Sequence, residues 1–531
     1  MILSLKKNLE LLRSQLVQER SSFIPHWRSV SDNLLPRRSR FTVSDVNKGE
    51  RRNRNIIDTS ATLSARTFTA GMQAGITSPA RPWFRLTTAD PDLADQASVK
   101  EWLYAVQNIM ATTFLRSNIY NTFAQMYKDL GAFGTAPISI EESFSGKVLN
   151  TASYPVGSYL IAKDELGKVD TFMREYRMTI AQLIKRFGVQ AGGIADWSNF
   201  SPQVKAMWES GNTQAWVDVI FCCKPNDDFD PKKLDSRYKR FISVYYEMGV
   251  STISGSASMT SGGPNDDKFL EIKGFDMFPI LCPRWETTGE DVYATDCPGM
   301  TALGDILQLQ QGEKNALQAV DKMVRPPMVG PTTMRNSVPS ILPGDITFVD
   351  TREGQQGFRP AHEMNFRLDL LEGKQAQVRQ RISRAFYEDL FLMFINNPDA
   401  ERTAREVSAK EQEKLLVLGP VLEQLNQDLL DPLIDLAFDY HLRQRLLPPP
   451  PPELEGLDLK VEYVSVMAQA QKMVGISGLE RFGSAMAGLI EVQDDARDKL
   501  NFDEYIDTSV SYTHLRAHET KANLVCRLLL E

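Results

Sequence analysis

The sequence predicts an α+β fold built around long helices, and three observations carry that prediction. Apolar residues recur at the helical period in long pieces, over 298–325, 366–393 and 402–446. Between about 134 and 290 the pattern changes to short β-rich runs divided by turn residues. The two patterns occupy separate stretches of the chain, with strand-rich material followed by helix-rich material.

Taken in order, the first ~30 residues read as a helix with Leu5, Leu9, Leu12 and Leu16 on one face. A second helix spans Ser60 to Gly75, where Gly71 and Gly75 fall on the same side and let a neighbouring backbone approach. Thr77, Ser78 and Pro79 stop it, and "WFRLTT" has the β-formers of a short strand. Residues 97–131 read as two helices whose aromatics, Trp102, Tyr104, Phe114, Tyr120, Phe123 and Tyr127, belong to a core. Within the strand-rich region a single short helix is expected, with Thr179 as N-cap and Gly188 as its stop, and a turn at Glu165 to Gly167. The composition of 251–267 is that of a loop.

Pro298 then opens a helix capped by Thr295 or Asp296, with Leu303, Ile306, Leu309, Ala316, Leu317, Val320 and Val324 as its apolar stripe. It ends at "RPP" (325–327). A proline- and glycine-rich insert follows, and a second long helix runs over 366–393 on Leu371, Val378, Ile382, Phe386 and Leu390. After a break the third helical stretch reaches about 446, with kinks expected at Pro420 and Pro432. Pro448 to Pro452 form a stiff segment, "LDLKVEYVSV" alternates as a half-buried strand, and 466–500 is helical again. Residues 510–531 continue none of these patterns and resemble translated sequencing-adaptor sequence; they are set aside from the fold, and with them the His514/His518 pair.

The chain has 531 residues, 42% hydrophobic and 24% charged, which is ordinary globular material. No run approaches the ~18 apolar residues of a spanning helix, and the amphipathic, charged start is not that of a signal peptide, so a cytosolic site of synthesis and no membrane partner are expected. The five cysteines show no paired spacing and read as free thiols. A net charge of −8 argues against tight nucleic-acid gripping, which needs many Lys and Arg on phosphates. Residues 1–60 nevertheless carry about twice as many basic as acidic groups, including "PRRSR" (36–40) and "ERRNRN" (50–55); a solvated basic face is the first reading and a contact with DNA or an acidic partner the second.

No phosphate-cradling glycine loop, nucleophile elbow or zincin helix is present, and neither metal nor cofactor is expected. The acids of "NDDFD" (226–230) and "ETTGED" (286–291) sit in turns, where carboxylates cap and solvate. "ERTAREV" reads as a helix start, with Asp399 as cap and Glu401 in the first turn.

Five stretches in order, "TLSARTFTAGMQAGITSPARPWFRL", "PGMTALGDILQLQQGEKNALQAVDKMVRPPM", "LPGDITFVD", "ERTAREV" and "LGPVLEQLNQDLLDPLIDLAF", resemble the head-to-tail connector, or portal, proteins of short-tailed bacteriophages. The resemblance reaches from the N-terminus to about residue 505. It implies a non-enzymatic homo-oligomer, a ring of twelve subunits at one capsid vertex. The ring would be assembled in the host cytoplasm and carried in the virion, with double-stranded DNA passing through its channel. Its implied partners are terminase, major capsid or scaffold proteins and a tail adaptor. Residues 1–297 would then be N-terminal helices and wing, 298–325 and 366–393 the stem, and 326–365 the clip. The stem positions include Leu303, Ile306, Val320, Val378 and Ile382. The break at 394–401 would be a tunnel loop facing DNA through Phe394, Asn396, Asn397 and Asp399. Glu401, Arg402, Thr403 and Glu406 would begin the kinked helix of 402–446, and 447–509 would complete the wing and start a crown. Gly71, Gly75, Pro79, Arg81, Pro82 and Trp83 become wing scaffold. Two rival readings are a metal-dependent nuclease using Asp227, Asp228 and Asp230, and a different capsid or scaffold component.

Overall fold

Five segments between 159 and 275, several of them rich in β-branched and aromatic side chains, form an antiparallel sheet. The computed structural model describes residues 5–42, 51–88, 90, 93, 96–143, 148–188, 197–233, 235–249, 268–326, 328–329, 359–360, 368–396, 418–454 and 459–464. The sheet runs in sequence order: β4 (Tyr159–Lys163), β5 (Val169–Thr179), β6 (Trp216–Pro225), β7 (Phe241–Gly249) and β8 (Glu271–Phe275). One rung places Leu160, Met173, Cys222, Val244 and Ile272 side by side. These side chains meet Leu9 and Leu16 of helix α1 (Leu5–Ser21), with Leu5 and Leu12 at the margin. The expected N-terminal helix is therefore real but divides at Ser22–Phe23, and α2 (Ile24–Asn33) follows.

Gly167 turns β4 into β5 at φ +84, closing the predicted hairpin turn. Helix α6 (Ile180–Phe187) starts at Thr179, whose hydroxyl accepts from the Gln182 amide while the Gln182 side chain accepts from the Thr179 amide. The region holds a further helix, α7 (Pro202–Glu209), and this corrects the expectation of a single one. Ser201 caps it and Pro202 opens its first turn.

A smaller sheet of β2 (Ile138–Glu142), β3 (Leu149–Ser153) and β9 (Ile280–Leu281) has the order β3-β2-β9. Helices α4 (Ala97–Arg116) and α5 (Ile119–Phe133) precede it. Phe114, Phe123 and Tyr127 on them are fully buried, Trp102 and Tyr120 are half-buried, and Tyr104 faces solvent, so the aromatic stripe is core only in part. Strand β1 (Phe84–Thr88) pairs antiparallel with β12 (Leu459–Tyr463), which joins two predicted strands some 370 residues apart in the chain.

A short turn α8 (Pro298–Thr301) leads through Ala302 into α9 (Leu303–Val324). Cys297 is the N-cap, and the Asp296 carboxylate accepts from the Cys297 amide and the Thr301 hydroxyl. The expected helix over 366–393 is two helices, α10 (Leu368–Ala385) and α11 (Glu388–Asn396). They break at Tyr387, whose φ of 53° lies in the left-handed region. Two-residue strands β10 (Met328–Val329) and β11 (Arg359–Pro360) pair within the insert. The third stretch holds α12 (Gly419–Leu425), a π-helical turn over Asn426–Leu430 and α13 (Asp431–Arg443). Pro420 and Pro432 both occupy first-turn positions, where the missing N–H is tolerated, and the ladder loosens into π geometry just before Pro432.

Candidate functional site

Helices α9 and α10 lie side by side and antiparallel, and Gln310 of α9 and Arg379 of α10 fasten them to the segment that leads into α3 (Ser60–Gly75). Gln310 sits at a core-facing position of α9. Its Oε1 accepts from the amides of Ile57 (2.7 Å) and Asp58 (2.9 Å), and its Nε2 donates to the Asp58 carbonyl (2.8 Å). One side chain thus satisfies three backbone groups that would otherwise be stranded. Asp58 accepts from the Ser60 amide at 2.7 Å and from Arg379 of α10 at 2.9 Å. Burial pushes its carboxyl up, but the Ser60 and Arg379 contacts outweigh that and hold it below its ordinary value. Arg379 also bonds Glu313, and Arg381 pairs with Asp305 at 2.6 Å, so two ion pairs fix the register of α9 on α10.

The base of this hairpin is held by α3. A Cβ placed on Gly71 would lie 2.2 Å from the Cβ of Phe391 in α11, so the glycine makes the close approach possible. Phe391 meets the edge of Phe68 at 5.3 Å, and Phe68 in turn meets Trp285 at 5.4 Å. Glu388, at the start of α11, accepts from Ser64 of α3 (2.8 Å) and Ser383 of α10 (2.6 Å), which ties the break at Tyr387 to the same helix. Gly75 is also buried.

The remaining scaffold residues divide. Trp83 is buried, stacks on Phe114 at 5.9 Å and donates to the Tyr120 hydroxyl at 3.3 Å, which ties the start of β1 to α4 and α5. Pro79 and Pro82 are exposed. Arg81 is half-buried and makes no ion pair with any described residue. On the hairpin, Ile306, Val378 and Ile382 are buried and Leu303 is half-buried. Val320 is not: the stripe predicted on α9 is covered near Ile306 and Leu309 but bare further along, where Leu317 is 60%, Val320 42% and Val324 73% exposed.

Residues 6–513 match the family described as "Bacteriophage head to tail connecting protein". The chain belongs to that family. It is 44% identical over 503 residues to the portal protein of Salmonella phage epsilon15, covering 94% of this chain and 86% of that one. It is 40% identical over 494 residues to the probable portal protein of Bordetella phage BPP-1, covering 93% and 85%.

In this connector Phe394 and Asn396, expected in the break at 394–401, lie on the last turn of α11. Asn397, Asp399, Glu401, Arg402, Thr403 and Glu406 lie outside the described residues, as do most of 326–365 and all of 465–531. The polar residues that position the hairpin were not foreseen from sequence, although a glutamine at a core-facing position of an apolar stripe and an Asp two residues before a helix are both readable signals.

The basic N-terminal cluster turns out to be partly internal. Arg38 donates to Asp129 at 2.7 Å and to the Ser153 hydroxyl at 2.7 Å, which removes it from any outward-facing basic patch. Burial raises Asp129 to about 6 even against Arg38. A second buried ion pair joins Arg284 to Asp428 in the π-turn at 3.2 Å, and Arg284 also donates to the Gly167 carbonyl. The turn acids are engaged locally: Asp227 pairs with Lys224, Asp230 with Lys233, and Asp291 bonds Thr288. Among the described residues no group of three His, Cys, Asp or Glu is arranged to hold a metal, and no described helix is long and apolar enough to cross a membrane. The four described cysteines are free and buried.

Proposed function

We propose that the chain is a portal subunit: a closed ring of copies, twelve in the virion, stands at one capsid vertex and conducts double-stranded DNA during packaging and ejection. The observation that carries this is the family match across almost the whole chain, together with relatives named portal protein. The physical features support it. The apolar stripe left bare along the outer half of α9 is a surface the subunit alone does not bury, and a ring needs two different complementary faces on every copy. A net charge of −8 suits a conduit that passes DNA without holding it, since many phosphate contacts per subunit would make a trap. In this reading 298–325 and 366–393 are the stem, 326–365 the clip that meets terminase and then the tail adaptor, and the wing contacts capsid or scaffold proteins. The segment after α11, with Asn397 and Asp399, faces DNA. ATP hydrolysis belongs to the terminase.

The test is particle assembly in infected cells lacking the natural gene product. Supplying the chain restores DNA-filled heads, and a deletion of Asn396 to Pro398 restores rings but not filled heads. Empty heads with the intact chain overturn the portal reading; loss of rings in the deletion places that segment in a subunit interface instead. A nuclease reading would require divalent-ion-dependent DNA cleavage lost on Asp227→Ala, Asp228→Ala and Asp230→Ala.

A further inference from the structure

Tyr387, between α10 and α11, has a φ of 53°, a left-handed conformation that crowds any side chain and is an outlier for a bulky aromatic one. Nothing in the local sequence forces it, since from Ile382 to Leu392 there is no glycine or proline to end a helix. The Tyr387 amide donates to the Arg384 carbonyl (3.0 Å), and the Tyr387 carbonyl accepts from the amides of Leu390 (3.0 Å) and Phe391 (3.1 Å). Arg384 in the last turn of α10, and Glu388 and Asp389 in the first turn of α11, suit two helix ends. The local sequence therefore accepts the broken form without requiring it, and one uninterrupted helix over 368–396 is also open to the chain.

The break is held by contacts that an uninterrupted helix does not make. Ser383 and Glu388 are five residues apart, as are Phe386 and Phe391; in a continuous helix such pairs point about 140° away from each other. Here the Glu388 carboxylate accepts from Ser383 (2.6 Å) and from Ser64 of α3 (2.8 Å) together. Phe386 and Phe391 are both fully buried, and both meet the ring of Phe68 in α3 edge to face, at 6.2 and 5.3 Å. The Tyr387 ring itself lies 6.5 Å from Trp285. Helix α3 thus clasps both sides of the break. A run-through helix would lose the clasp and shed the backbone strain at once, so the two arrangements exclude each other.

We infer that the α10–α11 junction is a two-state hinge. In the state described, the chain is broken at Tyr387 and α11 lies on the Phe68 clasp; in the other, Tyr387 takes right-handed helical angles, α10 and α11 become one helix and α11 leaves α3. The moving part is α11, whose last turn carries Phe394 and Asn396. The hinge is complete within one subunit and is independent of the ring reading above.

The test is the distance between nitroxides carried at Lys374 and Leu392, both exposed, measured by double electron–electron resonance on the full chain diluted with unlabelled copies. The two positions are about 27 Å apart along one continuous helix and closer across a break. The wild-type chain gives the shorter distance as its main population. Glu388→Ala removes both serine ties and adds a good helix former, and makes the separation of about 27 Å the main population. Ser64→Ala, which removes one tie from outside the hinge, moves part of the population the same way. Tyr387→Gly relieves the left-handed residue and disfavours a continuous helix, so it restores the shorter distance on either background. The shorter distance alone in both Glu388→Ala and Ser64→Ala, with native circular dichroism, overturns the hinge. A broad spread without the long population also overturns it, because the junction then frays, and so does a wild-type chain found only at the long distance. If Glu388→Ala does not fold, Ser64→Ala decides among the same outcomes.

Discussion

Substituting Gly71 by alanine isolates the close approach of α3 to α11. In an exposed helix the change would add up to about 1 kcal/mol of stability. Here the new methyl would land 2.2 Å from the Cβ of Phe391, whereas ordinary carbon contacts lie near 3.5–4.0 Å. Helix α11 would have to retreat by roughly 1.5 Å, opening the edge contacts that Phe391 makes with Phe68. Overpacking of this kind costs about 1–3 kcal/mol, so we expect a net loss of up to about 2 kcal/mol after the propensity gain. Denaturant unfolding monitored by tryptophan fluorescence measures it. Gly304→Ala is the control, because nothing lies within 4 Å of a Cβ there, and it should gain about 0.5–1 kcal/mol. Shortening the partner should relieve the clash, so Gly71→Ala combined with Phe391→Ala should be less destabilised than the sum of the two. Equal or greater stability of Gly71→Ala, or strict additivity with Phe391→Ala, would refute the close-approach argument.

Gln310→Leu should destabilise the subunit by about 2–4 kcal/mol by stranding the Ile57 and Asp58 backbone groups, measured as a lower denaturant midpoint. Because burial raises Asp129 to about 6, the folded protein holds that proton more tightly than the unfolded chain. Its stabilising share is therefore present below about pH 4 and lost as pH rises through 6; wild type minus Asp129→Asn in thermal stability should decline across that window and level off above it. Cys222 and Cys297, whose thiols burial pushes up to about 12, should resist a disulfide reagent at pH 8 until the chain is unfolded.

Local signals in the sequence were read well where both partners lie within a few residues. The Thr179–Gln182 capping box and the turn at Gly167 need only neighbours to form. Gly71 could be read as a packing glycine, but Phe391, its partner 320 residues on, could not, since helical period reports a face and says nothing of what covers it. Val320 shows the same limit: it belongs to the apolar stripe, yet it is 42% exposed. The break at Tyr387 carries no Gly or Pro and arises from tertiary ties, chiefly Glu388 to Ser64 and Ser383. Helix α7 has a legible start, since Ser201–Pro202 is an N-cap followed by a first-turn proline. Arg38 looked like surface charge because no sequence pattern announces Asp129, buried 91 positions away.

The ring is the central claim, and negative-stain electron microscopy with light-scattering mass on the purified chain tests it most directly. The account predicts closed rings with a central hole and a mass that is a fixed multiple of 59.9 kDa. Monodisperse monomers at every concentration, or open filaments and shells in place of rings, would contradict it.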